Sequence, residues 1–280
     1  MRAHLVQFDI LWQNKHANFD RVANLLSDAR PEAGDFVLLP EMFDTGFSFA
    51  VSATADENGE TIDFVRSIAL KYDITIQAGR TVRSEDVSRA RNEAPIVTRD
   101  GVVATYTKIH PFSHGFPGQR EVDTFDSGAE VITYAWRCDG VSMRVCPAIC
   151  YDLRFAELFR RGLDMGAEVF ALGANWPVAR QEHWRALLIA RAIENQAFVF
   201  GVNRIGRDPS LEYVGGTIAV GPRGEVLGEL KDEEAVLTVE IDPRDVTRWR
   251  EKFHAWEDRR LGLDVPKRSA IVPAAPSDPL

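Results

Sequence analysis

A chain of 280 residues, 45% of them hydrophobic, is long enough to bury a large core in one domain or in two closely merged halves. Its 42 acidic residues against 33 Lys and Arg give a net charge of -9, spread without a block of like charge, which argues against nucleic acid or an anionic membrane surface as partner. Three cysteines, Cys138, Cys146 and Cys150, are an odd number with no closely paired spacing, which argues against both a disulfide framework and a zinc site.

The opening MRAHLVQFDILW reads as a short strand interrupted by Gln7 and Asp9. It is too brief and too polar for a signal peptide, and no long apolar run follows, so a cytoplasmic protein is expected. Residues 18–29 have helical amphipathic spacing. The apolar run FVLLP then ends at Glu41 before a glycine-bearing loop, which places a carboxylate at the C-terminal end of a strand, the edge where ligands gather in open α/β sheets. A second amphipathic helix is expected over 61–71, then a strand at ITIQAG. VVATYT has the mixed character of a half-exposed strand, and Lys108 closes it before a loop holding Pro111 and Pro117.

The run VCPAIC ends at Cys150. A turn with polar Tyr151, Asp152 and Arg154 follows, and a helical pattern starts near Phe155. A thiol at a strand-to-helix junction is exposed at a sheet edge near a positive helix end, and both effects favour a thiolate. A free cysteine is also among the most buried residue types, and position alone does not separate nucleophile from core thiol. Strand VFALGA leads to Asn175 and Trp176, which are placed to wall a pocket there or to serve only as a turn asparagine and a packed tryptophan. Residues 182–197 are apolar nearly all round and predict a largely buried helix, with Trp184, Leu187, Leu188 and Ile193 in the core and Arg191 paired to Glu194 as a structural ion pair. FVFGVN is a further strand. Beyond Thr217 the pattern becomes strand, glycine turn, strand AVLTVEI and a short helix over 242–253. The Pro- and Ala-rich residues 266–280 read as an extended tail on a single domain over 1–265.

Attack of a thiol on a carbonyl needs a base to take its proton and a cation near the oxyanion. Glu41, Lys108 and Cys150, each at a strand end, can supply all three. In this order LLPEM, YTKIH and ICYDLRF resemble the Glu-Lys-Cys triad of the nitrilase (carbon-nitrogen hydrolase) superfamily, and the resemblance covers residues from about 3 to 245. It implies a four-layer α-β-β-α sandwich, no metal or organic cofactor, and a homodimer. It also implies Cys150 as the nucleophile that forms a thioester, Glu41 as general base, and Lys108 with the Tyr151 backbone N–H as oxyanion partners. The superfamily's second glutamate falls on Glu121, in FPGQREVDTF. GANWPVARQEHWRALLIARAIENQAFVFGVNRIG, with FAEL after CYDLR, is similar to the omega-amidase branch, whose members deamidate 2-oxoglutaramate and 2-oxosuccinamate. The far end of such a substrate is a carboxylate, and Arg154 is the arginine nearest in sequence to Cys150 that can pair with it. The alternatives are an amidase for a larger substrate, such as deaminated glutathione or an N-carbamoyl compound, a Cys-His hydrolase using His110, His114 or His183, and a non-catalytic α/β binding protein. The loops 43–58 and 110–128 decide how large a substrate enters.

Overall fold

The computed structural model describes residues 1–114 and 120–260. The expected tail over 266–280 lies outside them. Two mixed β-sheets face each other. One runs in the order Ala235–Glu240, Arg2–Gln7, Phe36–Leu38, Thr75–Gln77, Ala90–Thr98 and Arg80–Arg83, with Gly101–Thr107 also paired to Ala90–Thr98. The other runs Val226–Glu229, Ile218–Val220, Phe198–Asn203, Val169–Ala174, Val141–Ile149 and Tyr134–Cys138.

Successive side chains of a strand point to opposite faces, so a strand buried on both sides must be apolar at every position. Leu5, Phe36 and Leu38 from the first sheet meet Trp136, Val145, Ala171 and Phe200 from the second, and this set forms the core between the sheets. The residues one step along, Val6, Val37 and Leu39, point the other way, onto helices Lys15–Ala29 and Glu60–Tyr72 through Val22, Leu26, Val65 and Ile68. On the far side of the second sheet Cys146, Phe170, Leu172 and Val199 pack against helices Ala156–Asp164 and Gln181–Asn195 through Phe159, Trp184 and Leu188. The layers are therefore helix, sheet, sheet, helix, the sandwich expected from the resemblance. Cys146 lies wholly in the core, and all three cysteines are free.

One core expectation fails. Ile193 is 53% exposed. A helix lying on one sheet has a solvent face whatever its composition, and Ile193 sits there over the turn at Gly224, while Trp184, Leu188 and Ala192 face inward and Leu187 is half-buried. The Arg191–Glu194 pair is present at 2.9 Å, with Arg191 also donating to the Leu153 carbonyl at 2.8 Å, a tie between helix Gln181–Asn195 and the turn Cys150–Arg154.

Candidate active site

Four strand ends converge at one end of the sandwich. Phe36–Leu38 and Gly101–Thr107 of the first sheet deliver Glu41 and Lys108, and Val141–Ile149 and Val169–Ala174 of the second deliver Cys150 and Asn175. The sheets come very close here. A Cβ on Gly173 would stand 2.5 Å from the Leu39 carbonyl oxygen and 2.9 Å from the Glu41 nitrogen, so only glycine lets the second sheet touch the backbone that carries Glu41. Met42 and Cys150 both have positive φ, 45° in each case. This conformation costs a non-glycine residue about 1 kcal/mol or more and turns the chain sharply out of each strand.

The Lys108 ammonium is wholly buried between two carboxylates. Nζ donates to Glu41 Oε1 at 2.8 Å and to Glu121 Oε1 and Oε2 at 2.9 and 2.8 Å. Glu121 opens a short helix, Glu121–Thr124, is fully buried, and accepts the Phe112 N–H at 2.6 Å. Its sequence neighbour Arg120 pairs instead with Asp123, at 2.6 Å. Asn92 Nδ2 bridges the carboxylates, 2.7 Å from Glu41 Oε1 and 3.1 Å from Glu121 Oε1. Asn175 fixes the other oxygen of Glu41, donating from its backbone N–H at 3.0 Å, and its side-chain amide donates to the Glu41 carbonyl at 2.7 Å. Sequence reading missed Asn92. It lies in strand Ala90–Thr98, whose RNEAP interior mixes charge and proline and carries no strand signal.

These contacts set the protonation states. Burial opposes ionisation of Glu41, yet the Lys108 charge, with hydrogen bonds from Lys108, Asn92 and Asn175, holds its carboxyl below the usual value. Burial also disfavours the ammonium form of Lys108, but Glu121 and Glu41 outweigh it and keep the group protonated. The Glu121 carboxyl is pushed up, first by burial and then, against Lys108, by the Glu41 charge. The Cys150 thiol is pushed well above its ordinary value by burial and by Glu41, with Lys108 opposing. This corrects the expected thiolate. The α-helix does not begin at the cysteine, because a 3₁₀ turn, Cys150–Arg154, comes first and Ala156–Asp164 follows, and a carboxylate stands beside the sulfur. An ionised carboxylate beside a protonated thiol is an acceptor for its proton.

Asp152 anchors that turn. Its buried carboxylate accepts the Tyr106 hydroxyl at 2.7 Å, the Ile149 N–H at 3.0 Å and the His110 N–H at 3.0 Å, and contacts His110 Nδ1 at 2.8 Å. It thereby ties the residues on either side of Lys108 to those on either side of Cys150.

Above the cluster a narrow cleft of about 60 Å³ is lined by Lys108, Glu121, Cys150, Tyr151, Arg154, Asn175 and Trp176, all expected from sequence, and by Phe47, Phe112, Arg180 and Leu211, which were not. Glu41 sits beneath it through its bonds to Lys108 and Asn175. Phe47 and Phe112 come from the two loops expected to set substrate size, and residues 115–119 of the second loop lie outside the described residues. None of His110, His114 and His183 lines the cleft. His110 stacks on Phe155 at 3.7 Å, and His183 Nδ1 lies 3.3 Å from the Arg154 guanidinium. A larger surface groove of about 850 Å³ runs along the sheet edges past Gly34, Arg99, Tyr134 and Cys138 and contains none of the clustered groups.

Comparison with known proteins shows the family. The family model described as carbon-nitrogen hydrolase matches residues 2–251. The chain is 33% identical to omega-amidase YafV of Yersinia enterocolitica, covering 92% of this chain and 96% of that one. It is likewise 33% identical to 2-oxoglutaramate amidase of Bacillus subtilis, covering 92% and 97%. Among solved structures, XC1258 from Xanthomonas campestris, described as a CN-hydrolase superfamily protein with an arsenic adduct in its active site, superposes with a TM-score of 0.84 at 32% identity, covering 94% of this chain and 98% of that one.

Proposed function

The chain belongs to the carbon-nitrogen hydrolase family and is an amidohydrolase, and from that premise we propose that it hydrolyses the terminal amide of a small 2-oxo acid, 2-oxoglutaramate in the first instance, to the acid and ammonia. The observation that carries this reading is the buried Glu41–Lys108–Glu121 cluster beside Cys150, in a cleft that also holds arginines with no acidic partner among the described residues. Glu41 takes the thiol proton as the sulfur attacks the amide carbonyl. The oxyanion forms beside the Lys108 ammonium and the Tyr151 N–H. Glu41 returns the proton to the nitrogen, the C–N bond breaks, and ammonia leaves a thioester on Cys150. Water then adds to the thioester, giving a proton to Glu41. The C–S bond breaks, the acid departs and the thiol is re-protonated. Glu121, ionising less readily than Glu41, holds Lys108 in place, and Asn175 and Trp176 wall the acyl chain. Arg154 receives the carboxylate.

A narrow cleft with an arginine at its wall suits a short anionic amide better than deaminated glutathione. The relatives named omega-amidase and 2-oxoglutaramate amidase support the same choice. The resemblance further implies a homodimer, and the residues themselves are read as one domain over 1–265 in a cytoplasmic protein. No helix among the described residues is long and apolar enough to cross a membrane, and sedimentation would show whether the species is twice 31.3 kDa.

Ammonia release from 2-oxoglutaramate, 2-oxosuccinamate, glutamine, deaminated glutathione and an N-carbamoyl amino acid tests the proposal. Turnover is expected for the two 2-oxo acids, none in Cys150→Ala, and a loss of roughly 10²- to 10⁴-fold in kcat for Glu41→Gln. Faster turnover of deaminated glutathione or of the N-carbamoyl compound would move the enzyme to another branch.

A further inference from the structure

Two guanidinium groups face the cleft, and among the described residues neither has a carboxylate within ion-pairing distance, in a chain that carries nine more acids than bases. Both are held on aromatic faces instead. Arg154 lies 4.8 Å from the ring centre of Trp176 and 6.0 Å from that of Tyr151. Arg180 lies 5.4 Å from the ring centre of Phe112, which meets Tyr151 edge-on at 5.0 Å. Trp176 also links the two arginines covalently remote from each other, because its indole N–H donates to the Arg180 carbonyl at 2.8 Å and so fixes the turn Val178–Arg180 around the ring on which Arg154 rests.

A guanidinium stacked on an aromatic face is held in orientation without consuming its edge N–H donors; Arg154 turns one of them to His183 Nδ1 at 3.3 Å, and the others stay available to a planar anion. Two such groups on one small cleft put unmatched positive charge at the rim, whereas the Lys108 ammonium at the floor is already matched by Glu41 and Glu121. An anionic substrate is thereby oriented with its charge outward and its amide toward Cys150.

We propose that Arg180 is a second anion-binding residue that, together with Arg154, clamps the distal carboxylate of the substrate, restricting this enzyme to short amides that carry a carboxylate. This rests on the reading of the cleft as an amidase site, and deepens it by naming the substrate class and a residue that selects it.

Protection of Cys150 from alkylation by iodoacetamide, followed by intact mass, reads binding without requiring turnover. Glutarate supplies the anion, and pentane-1,5-diol a neutral chain of the same length. Glutarate is expected to protect the wild type at a concentration at least tenfold below that of the diol. Arg180→Ala should raise the glutarate midpoint at least tenfold, and Arg180→Lys, which keeps charge without the fork, should fall between the two. In parallel, the ratio of kcat/KM for 2-oxoglutaramate over pentanamide should drop at least tenfold in Arg180→Ala, chiefly through KM. An unshifted glutarate midpoint in Arg180→Ala, or equal shifts for glutarate and the diol, would overturn the clamp. If glutarate protects the wild type through Arg180 but 2-oxoglutaramate is not hydrolysed, the clamp stands and the proposed substrate fails. If 2-oxoglutaramate is hydrolysed with no dependence on Arg180, the reverse holds. Arg180→Gln, which keeps length and polarity, replaces the alanine variant should that one not fold.

Discussion

Glu41 and Asp44 stand three residues apart, both buried, and their titration runs in opposite directions. Glu41 has Lys108 and is held ionised. Asp44 is fully buried with Thr61 Oγ1 donating to it at 2.7 Å, and burial pushes its carboxyl up to about 6, against the Thr61 hydrogen bond and the more distant Lys15. An acid whose folded value is raised above its unfolded value contributes stability that is complete below the unfolded value of 3.8 and is lost as pH rises through about 6. A shift of this size corresponds to roughly 3 kcal/mol. Asp44→Asn, which keeps an acceptor for Thr61, should therefore be more stable than wild type at pH 7.5, with the gap closing by pH 4. Urea midpoints across that range check this, and a gap independent of pH would assign the effect to packing. Nothing in LLPEMFDTGF distinguishes the two acids in this respect. The strand end marks Glu41, whereas Lys108, which holds Glu41 ionised, and the packing that buries Asp44 come from distant segments.

At the scale of elements, the turn Cys150–Arg154 depends on Asp152 more than on its own backbone. Asp152→Ala would leave the Tyr106 hydroxyl and the Ile149 and His110 N–H groups without their acceptor, and the first two are buried donors costly to strand. We expect destabilisation by about 2–4 kcal/mol in urea and a lower kcat, with Asp152→Asn recovering part of both. A variant with wild-type stability but reduced kcat would show that the carboxylate acts on the reaction through its charge. Elements with continuous apolar runs or clean amphipathic spacing were legible in the sequence, and three of them end at Glu41, Lys108 and Cys150. Elements stabilised mainly by their neighbours were not. Strand Ala90–Thr98 hides Asn92 in a polar stretch, and Arg180 sits in a three-residue turn with no periodicity. The thiolate expectation failed for a related reason, since the sequence shows that a helix follows Cys150 but not that a 3₁₀ turn intervenes or that the sulfur is buried.

For the molecule as a whole, the layer between the sheets is one of three large apolar clusters that hold the sandwich together. Phe200 is fully buried there, against Phe36 at a ring distance of 6.4 Å. Phe200→Ala should cost about 3–5 kcal/mol, read as a lowered urea midpoint with little change of slope. The same variant examines a consequence of how the cluster is assembled. One leaf of the sandwich carries the proton acceptor and the ammonium, the other carries the sulfur and the amide that steadies the acceptor, and Gly173 keeps the leaves in backbone contact at that spot. Turnover is thus a gauge of the gap between the leaves, fine enough to register a parting of a few tenths of an ångström that circular dichroism, which counts helical turns within each leaf, would pass over.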